Sequence, residues 1–161
     1  MVAEGNGTTD PGGSVGGPAG SSGPLHALFD TNVILDLLLQ RDPWYTEAIP
    51  MWEARDQGRF FAYVPASALT DVFYLCRKQI GIQAALAAIE MCVIGFNILT
   101  VDRAIIEAAL ALPGADFEDN VQIACAQAAG LDLIITRNAS DFAQAGISVI
   151  APPDVPAWLG V

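Results

Sequence analysis

The chain has one histidine, His26, and one lysine, Lys78. With no second histidine, His-pair and His-triad mechanisms are not expected. The three cysteines, Cys76, Cys92 and Cys125, lie in apolar, helix-like stretches, and none has zinc-like spacing with another cysteine or with His26. An odd set of buried thiols suits a reducing compartment better than a disulfide frame, so the expected location is the cytoplasm. No run of about 18 apolar residues suggests a membrane span, and the N-terminus lacks the basic start and apolar core of a secretory leader. Positive charge is scarce as well: 7 Lys and Arg stand against 18 Asp and Glu, for a net charge of −11. That balance argues against broad, non-specific binding of nucleic acid, which requires phosphate neutralisation, but it leaves room for a local basic patch. Arg41, Arg55 and Arg59 come from one stretch, Arg77 and Lys78 from another.

What is present is apolar. Hydrophobic residues make up 53 % of the 161, enough for one domain with one core. They begin late. Residues 1–24, including "GNGTTDPGGSVGGPAGSSGP", are Gly-, Ser-, Thr- and Pro-rich and cannot offset the entropy of ordering, which predicts a disordered tail. From Leu25 onwards, short apolar runs alternate with helix-like segments. Strands are expected at "LHALF", "RFFAYV", "FNILTV", "LDLIIT" and "ISVIAP". Helices are expected at "TNVILDLLLQ", "PWYTEAIPMWEARDQG" (bent at Pro50), "PASALTDVFYLCRKQ", "IQAALAAIEMCVI", "DRAIIEAALAL" (capped by Asp102) and "DFEDNVQIACAQAAG". Nearly continuous apolar strands separated by helices predict an α/β fold, with a mostly parallel five-stranded sheet between two helical layers.

In such sheets ligands bind beyond the carboxyl ends of the strands. Asp30 closes the first strand, Asp71 lies early in the helix after the second, and Asp141 follows the fourth. The two helices between strands three and four return the chain to the same edge, which brings Asp119 there too. Each acid has a plainer reading. Asp30 could cap the next helix, Asp71 could be solvated, and Asp141 could cap a short turn. Asp116 and Glu118 are read as a cap and a dipole partner of their helix, and Asp36, Asp132 and Asp154 as structural or solvent-facing. His26 is read as solvated at the edge of the fold. Four aspartates converging from four segments repel one another, and a hard divalent cation with oxygen ligands removes that repulsion.

Three blocks, "FDTNVILDLLLQRDP", "SALTDVFYLCRK" and "DFEDNVQIACAQAAGLDLIITRNASDF", together resemble the PIN domain family of VapC-like toxins and related stand-alone ribonucleases. The resemblance spans residues 25–161 and implies a PIN-like nuclease domain there. It places the family's acids on Asp30, Asp71, Asp119 and Asp141, with metal on Asp30, Asp119 and Asp141. Asn32, Thr136 and Asn138 match its small polar residues near the metal. Asp71 departs from the glutamate usual at its position and reaches about 1.5 Å less far. The implied activity is Mg²⁺- or Mn²⁺-dependent hydrolysis of RNA phosphodiesters by an activated water, leaving 5′-phosphate ends. The implied partners are an RNA substrate and a small antitoxin, in a homodimer with no membrane attachment. A catalytically silent PIN-like binding module is the alternative that Asp71 leaves open. A receiver-type phosphoacceptor would need a lysine after its last strand, and Lys78 lies on a mid-chain helix instead.

Overall fold

The computed structural model describes residues 23–114 and 116–161, so residues 1–22 of the expected tail lie outside the described residues. Five strands form the sheet: β1 (Leu25–Phe29), β2 (Phe60–Pro65), β3 (Asn97–Leu99), β4 (Leu133–Ile135) and β5 (Ser148–Ile150). All pairings are parallel, in the order β3-β2-β1-β4-β5. The chain winds outwards from β1 on one side and resumes at β4 on the other. The order therefore reverses between β1 and β4, and a crevice opens beyond their carboxyl ends.

The expected α/β sandwich is present. Helices α1 (Thr31–Leu38), α2 (Trp44–Asp56), α3 (Ala66–Ile80) and α4 (Ile82–Gly95) pack on one face of the sheet, and α5 (Arg103–Ala111) and α6 (Phe117–Ala128) on the other. Side chains alternate across the strands as the pleat requires. Leu25, Ala27 and Phe29 of β1 join Leu133 and Ile135 of β4 in the first core, whereas Leu28 and Ile134 join the second. Phe29 stacks on Trp52 at 5.0 Å between ring centres and meets Phe96 edge-on at 5.6 Å, fixing α2 to the middle of the sheet.

Helix α2 runs through Pro50 without a break. Asp102 caps α5 by accepting from Ile105 N, as expected. Gly81, at φ 83°, reverses the chain between α3 and α4, a backbone conformation that strains any residue with a Cβ. The three cysteines are buried, and burial pushes the thiols of Cys92 and Cys125 up to about 11, which keeps them protonated and unreactive. His26 differs from its expected solvated state. It is half-buried, its Nδ1 lies 2.8 Å from the Tyr63 hydroxyl, and its backbone N–H donates to Asp132 at 2.7 Å. The sequence reading did not anticipate α7 (Val155–Leu159), a single turn and a half that follows a 3₁₀ turn at Pro152–Asp154.

Among the described residues, no helix is long and apolar enough to cross a membrane.

Candidate active site

Asp30 sits where β1 ends and α1 begins, at the reversal of strand order. It occupies the N-cap position of α1 in extended backbone, yet its side chain makes no capping bond. Both carboxylate oxygens are committed elsewhere. Thr136 Oγ1, just past β4, donates to Oδ2 at 2.8 Å, and Gln122 Nε2, from α6, donates to Oδ1 at 3.3 Å. All three residues are buried, Asp30 to 3 % exposure. A carboxylate this dry would be costly if unpartnered, so the two donors hold it and fix its plane. The helix-cap reading of Asp30 therefore does not hold.

Thr136 is a hinge of this arrangement, because its Oγ1 also accepts from Asn138 N at 3.0 Å. One hydroxyl thus ties the end of β4 to Asp30 and shapes the following 3₁₀ turn (Ala139–Phe142), which carries Asp141. Thr136→Val keeps the shape and removes both bonds. It is expected to lower the urea midpoint by the equivalent of about 1–3 kcal/mol, the cost of stranding a buried carboxylate, with the unfolding slope unchanged.

Asp119 lies in the first turn of α6 beside an open cleft of about 360 Å³ lined by Gly114, Asp116, Asp119, Ser140, Asp141 and Gln144. Its carboxyl is pushed up to about 7, first by burial and then by the charges of Asp116, Asp30, Asp141 and Glu118. The charges of Asp30 and Asp141, two of the acids expected beside it, contribute to that rise. Gly114 lines the cleft. A Cβ there would run into Asn120 Oδ1 and Gln144 Nε2, while Asn120 Nδ2 holds the Gly114 carbonyl at 3.2 Å.

Asp116 is the cap that was expected, accepting from Glu118 N at 2.8 Å. Glu118 does more than favour a helix dipole. Much of its surface is exposed, but its carboxylate accepts from Thr31 Oγ1 at 2.7 Å and from Gln122 Nε2 at 3.4 Å. Burial raises its pKa, the Thr31 bond opposes the rise, and Asp71, Asp30 and Asp116 add to it. Asp71, partly buried on α3, is therefore close enough for its charge to reach the group. Asn32 is partly buried on α1, whereas Asn138 is exposed, with only its backbone N–H tied into the site.

Sequence reasoning missed Gln122, Thr31 and the inward turn of Glu118. The available signal was Gln122 itself, a polar residue inside "VQIACA" and one helical turn from Glu118. Its Nε2 is shared between two carboxylates, and its Oε1 is buried without a hydrogen-bond partner.

Behind the site, buried Asp36 pairs with Arg137 Nε at 2.9 Å and Arg41 Nη1 at 3.9 Å. Burial raises the Asp36 pKa, the two arginines pull it down, and the Asp30 charge raises it further. Asp36 is thus structural, one of its two expected roles.

A family model described as "PIN domain" matches residues 26–140. No curated protein sequence matches the chain. Among solved structures, a toxin–antitoxin complex from Klebsiella pneumoniae contains a chain 28 % identical, with TM-score 0.57, covering 78 % of this chain and 97 % of that one. VapC20 of Mycobacterium tuberculosis, described as a sarcin–ricin-loop-cleaving toxin, is 18 % identical with TM-score 0.62, covering 75 % and 95 %. VapBC-1 of nontypeable Haemophilus influenzae is 14 % identical with TM-score 0.61, covering 80 % and 98 %.

Proposed function

The chain belongs to the PIN domain family, and from that premise we propose that it is a divalent-cation-dependent endoribonuclease, the VapC-like toxin of a toxin–antitoxin pair. The observation that carries this reading is the crowding of Asp119 by carboxylates from other segments, at the crevice where the sheet reverses. A fold does not need such repulsion for its own stability, and a phosphodiester nuclease does need a place for a cation.

The donor set fits Mg²⁺ or Mn²⁺, because every available group is an oxygen. Among the described residues, no three Asp, Glu, His or Cys side chains already stand at the spacing that closes around an ion. Binding therefore requires the carboxylates to turn towards one another. Asp141, which is exposed, and Asp119, which is partly so, have that freedom. Asp30 is the fixed member, and Asp30, Asp119 and Asp141 would hold the ion. Bound there, a divalent cation supplies Lewis acidity and positive charge against the scissile phosphate.

The chain's own residues do the positioning. Thr136 and Gln122 keep Asp30 in one orientation. Thr31 and Gln122 keep the Glu118 carboxylate turned inwards, and Asp71 adds charge beside it. Asn32 and Asn138 stand near enough in sequence to Asp30 and Asp141 to orient water or phosphate. In-line attack by water on phosphorus breaks the P–O3′ bond and leaves a 5′-phosphate. RNA is the substrate in this reading, and a small antitoxin and a second copy of the chain are the protein partners. Exposed Ile82, Leu86, Met91, Val93 and Ile94 on α4 supply apolar surface for such partners to cover.

The test is cleavage of total RNA with and without Mn²⁺ by Asp30→Asn and Asp141→Asn. Both variants should lose activity while keeping the wild-type circular dichroism. Retained activity in both would exclude the mechanism. Asp71 sharpens the test. Asp71→Glu should equal or exceed wild type, and Asp71→Ala should retain reduced activity. Abolition by Asp71→Ala would make Asp71 a direct metal ligand, and a silent binding module would show no cleavage in any version.

A further inference from the structure

Trp44 opens α2 and leaves 42 % of its surface exposed in a chain whose other two tryptophans are packed. Its ring is not loose. The guanidinium carbon of Arg137 lies 4.0 Å from the ring centre, a close cation–π contact that covers one face. Arg137 is itself anchored by its ion pair at 2.9 Å to buried Asp36. Arg41 stands at 3.9 Å from the same carboxylate. Two guanidiniums thus share one buried anion, leaving a local surplus of positive charge in a chain of net charge −11.

The patch is joined to Asp30 through the chain. Arg137 directly follows Thr136, whose hydroxyl holds Asp30, and the Asp30 charge reaches Asp36. Among the described residues, the other pairing of a cation with an exposed aromatic ring is Lys78 over Tyr74, at 4.2 Å. It lies two turns or more down α3 from the carboxyl edge of the sheet, away from the site.

We infer that Trp44, braced by Arg137, is a stacking platform for one unpaired RNA base beside the acidic cleft, with Arg41 supplying charge to the neighbouring phosphate. This rests on the ribonuclease reading and adds a substrate requirement to it, namely a single-stranded stretch flanking the cut. Every base offers a π-face, so the platform accepts any base but excludes bases stacked within a duplex. The bracing arginine removes the freedom the ring would otherwise lose on binding. This local positive surplus also gives a strongly acidic protein a foothold on RNA at the place where it is needed.

The experiment measures binding of a fluorescein-labelled, mixed-sequence single-stranded RNA octamer to the Asp119→Asn protein, which should not cut it. Adding Trp44→Leu should weaken binding about 10-fold, and Trp44→Phe, which keeps a π-face, should stay within about threefold. Intrinsic tryptophan fluorescence should be quenched by the octamer in the Asp119→Asn protein and not in its Trp44→Phe derivative. Arg41→Met should flatten the dependence of log Kd on log salt by about 0.7. A duplex of the same sequence should bind equally with and without Trp44→Leu. Should Trp44→Leu not fold, the quenching and salt measurements decide alone.

Unchanged octamer binding by a folded Trp44→Leu protein, with wild type cutting RNA, overturns the platform and leaves the nuclease reading intact. The same unchanged binding together with loss of a protein partner assigns Trp44 to protein docking instead. If wild type cuts no RNA and Asp119→Asn binds none, both readings fall.

Discussion

Asp119→Asn is expected to abolish cation-dependent RNA cleavage and, without added metal at pH 8, to melt higher than wild type. The two effects have one cause. Asp119 is pushed up from 3.8 to about 7 by burial and by four neighbouring carboxylates. A carboxyl raised in the folded state holds its proton more tightly there than in the unfolded chain. Between about pH 4 and 7 the folded protein binds the extra proton, so stability falls as pH rises through that window. At pH 8 the whole penalty is present, and at pH 3 it is absent. Asparagine carries no charge at any pH and escapes it. Asp119 is partly open to solvent, so screening reduces the effect to on the order of 1 kcal/mol, or about 3 °C for a domain of this size. Differential scanning calorimetry at pH 5 and pH 8 should show the gap between variant and wild type widening with pH. Added Mn²⁺ should raise the wild-type melting temperature by linkage and raise that of the variant much less. A variant that melts below wild type at pH 8, with no response to metal in either, would make Asp119 a structural residue.

Arg137→Ala, in contrast, is expected to cause a large loss of stability. It leaves Asp36 buried with only Arg41, at 3.9 Å, as a cationic partner, and it uncovers one face of Trp44. Removing one partner of a buried ion pair typically costs about 3–5 kcal/mol, because the remaining charge stays desolvated. Lysine should rescue poorly, since its ammonium offers no flat face to cover Trp44. The linkage sign gives a second readout. Arg137 is the main influence lowering a pKa that burial raises, so its loss drives the Asp36 pKa further up. The deficit should therefore shrink as pH falls and Asp36 takes up a proton. Combining Arg137→Met with Asp36→Asn removes both charges and should recover most of the loss. If Arg137→Ala melts within 2 °C of wild type by the same calorimetry, about 1 kcal/mol or less, the pair contributes little.

Periodicity and edge position carried much of this architecture. Short apolar runs located all five strands, and the rule that ligands gather at carboxyl edges picked out Asp30, Asp119 and Asp141. The strand assignments succeed because they depend on local spacing and on topology. What stayed hidden depends on which side chains meet across the fold. Nothing local says that Asp36 will meet Arg137, or that Thr31 will turn Glu118 inwards, because both pairs join helices and loops distant in sequence. The cap reading of Asp30 was reasonable from its position, and the backbone there is indeed that of a cap. It failed because two buried donors, Thr136 and Gln122, take both carboxylate oxygens. Helix α7 escaped notice because five residues after two prolines are too few to display a period.

The pairing of β1 with β4 has a consequence for when the candidate site can assemble. Asp30 and the Thr136 that holds it are 106 residues apart in the chain. Closing so long a loop comes late in folding, and during synthesis it cannot happen until β4 has emerged. A nascent chain that has made Asp30, Asp71 and Asp119 still lacks Thr136, Asp141 and the strand that aligns them. On the reading proposed above, the site can therefore assemble only once β4 and the turn carrying Asp141 have joined β1.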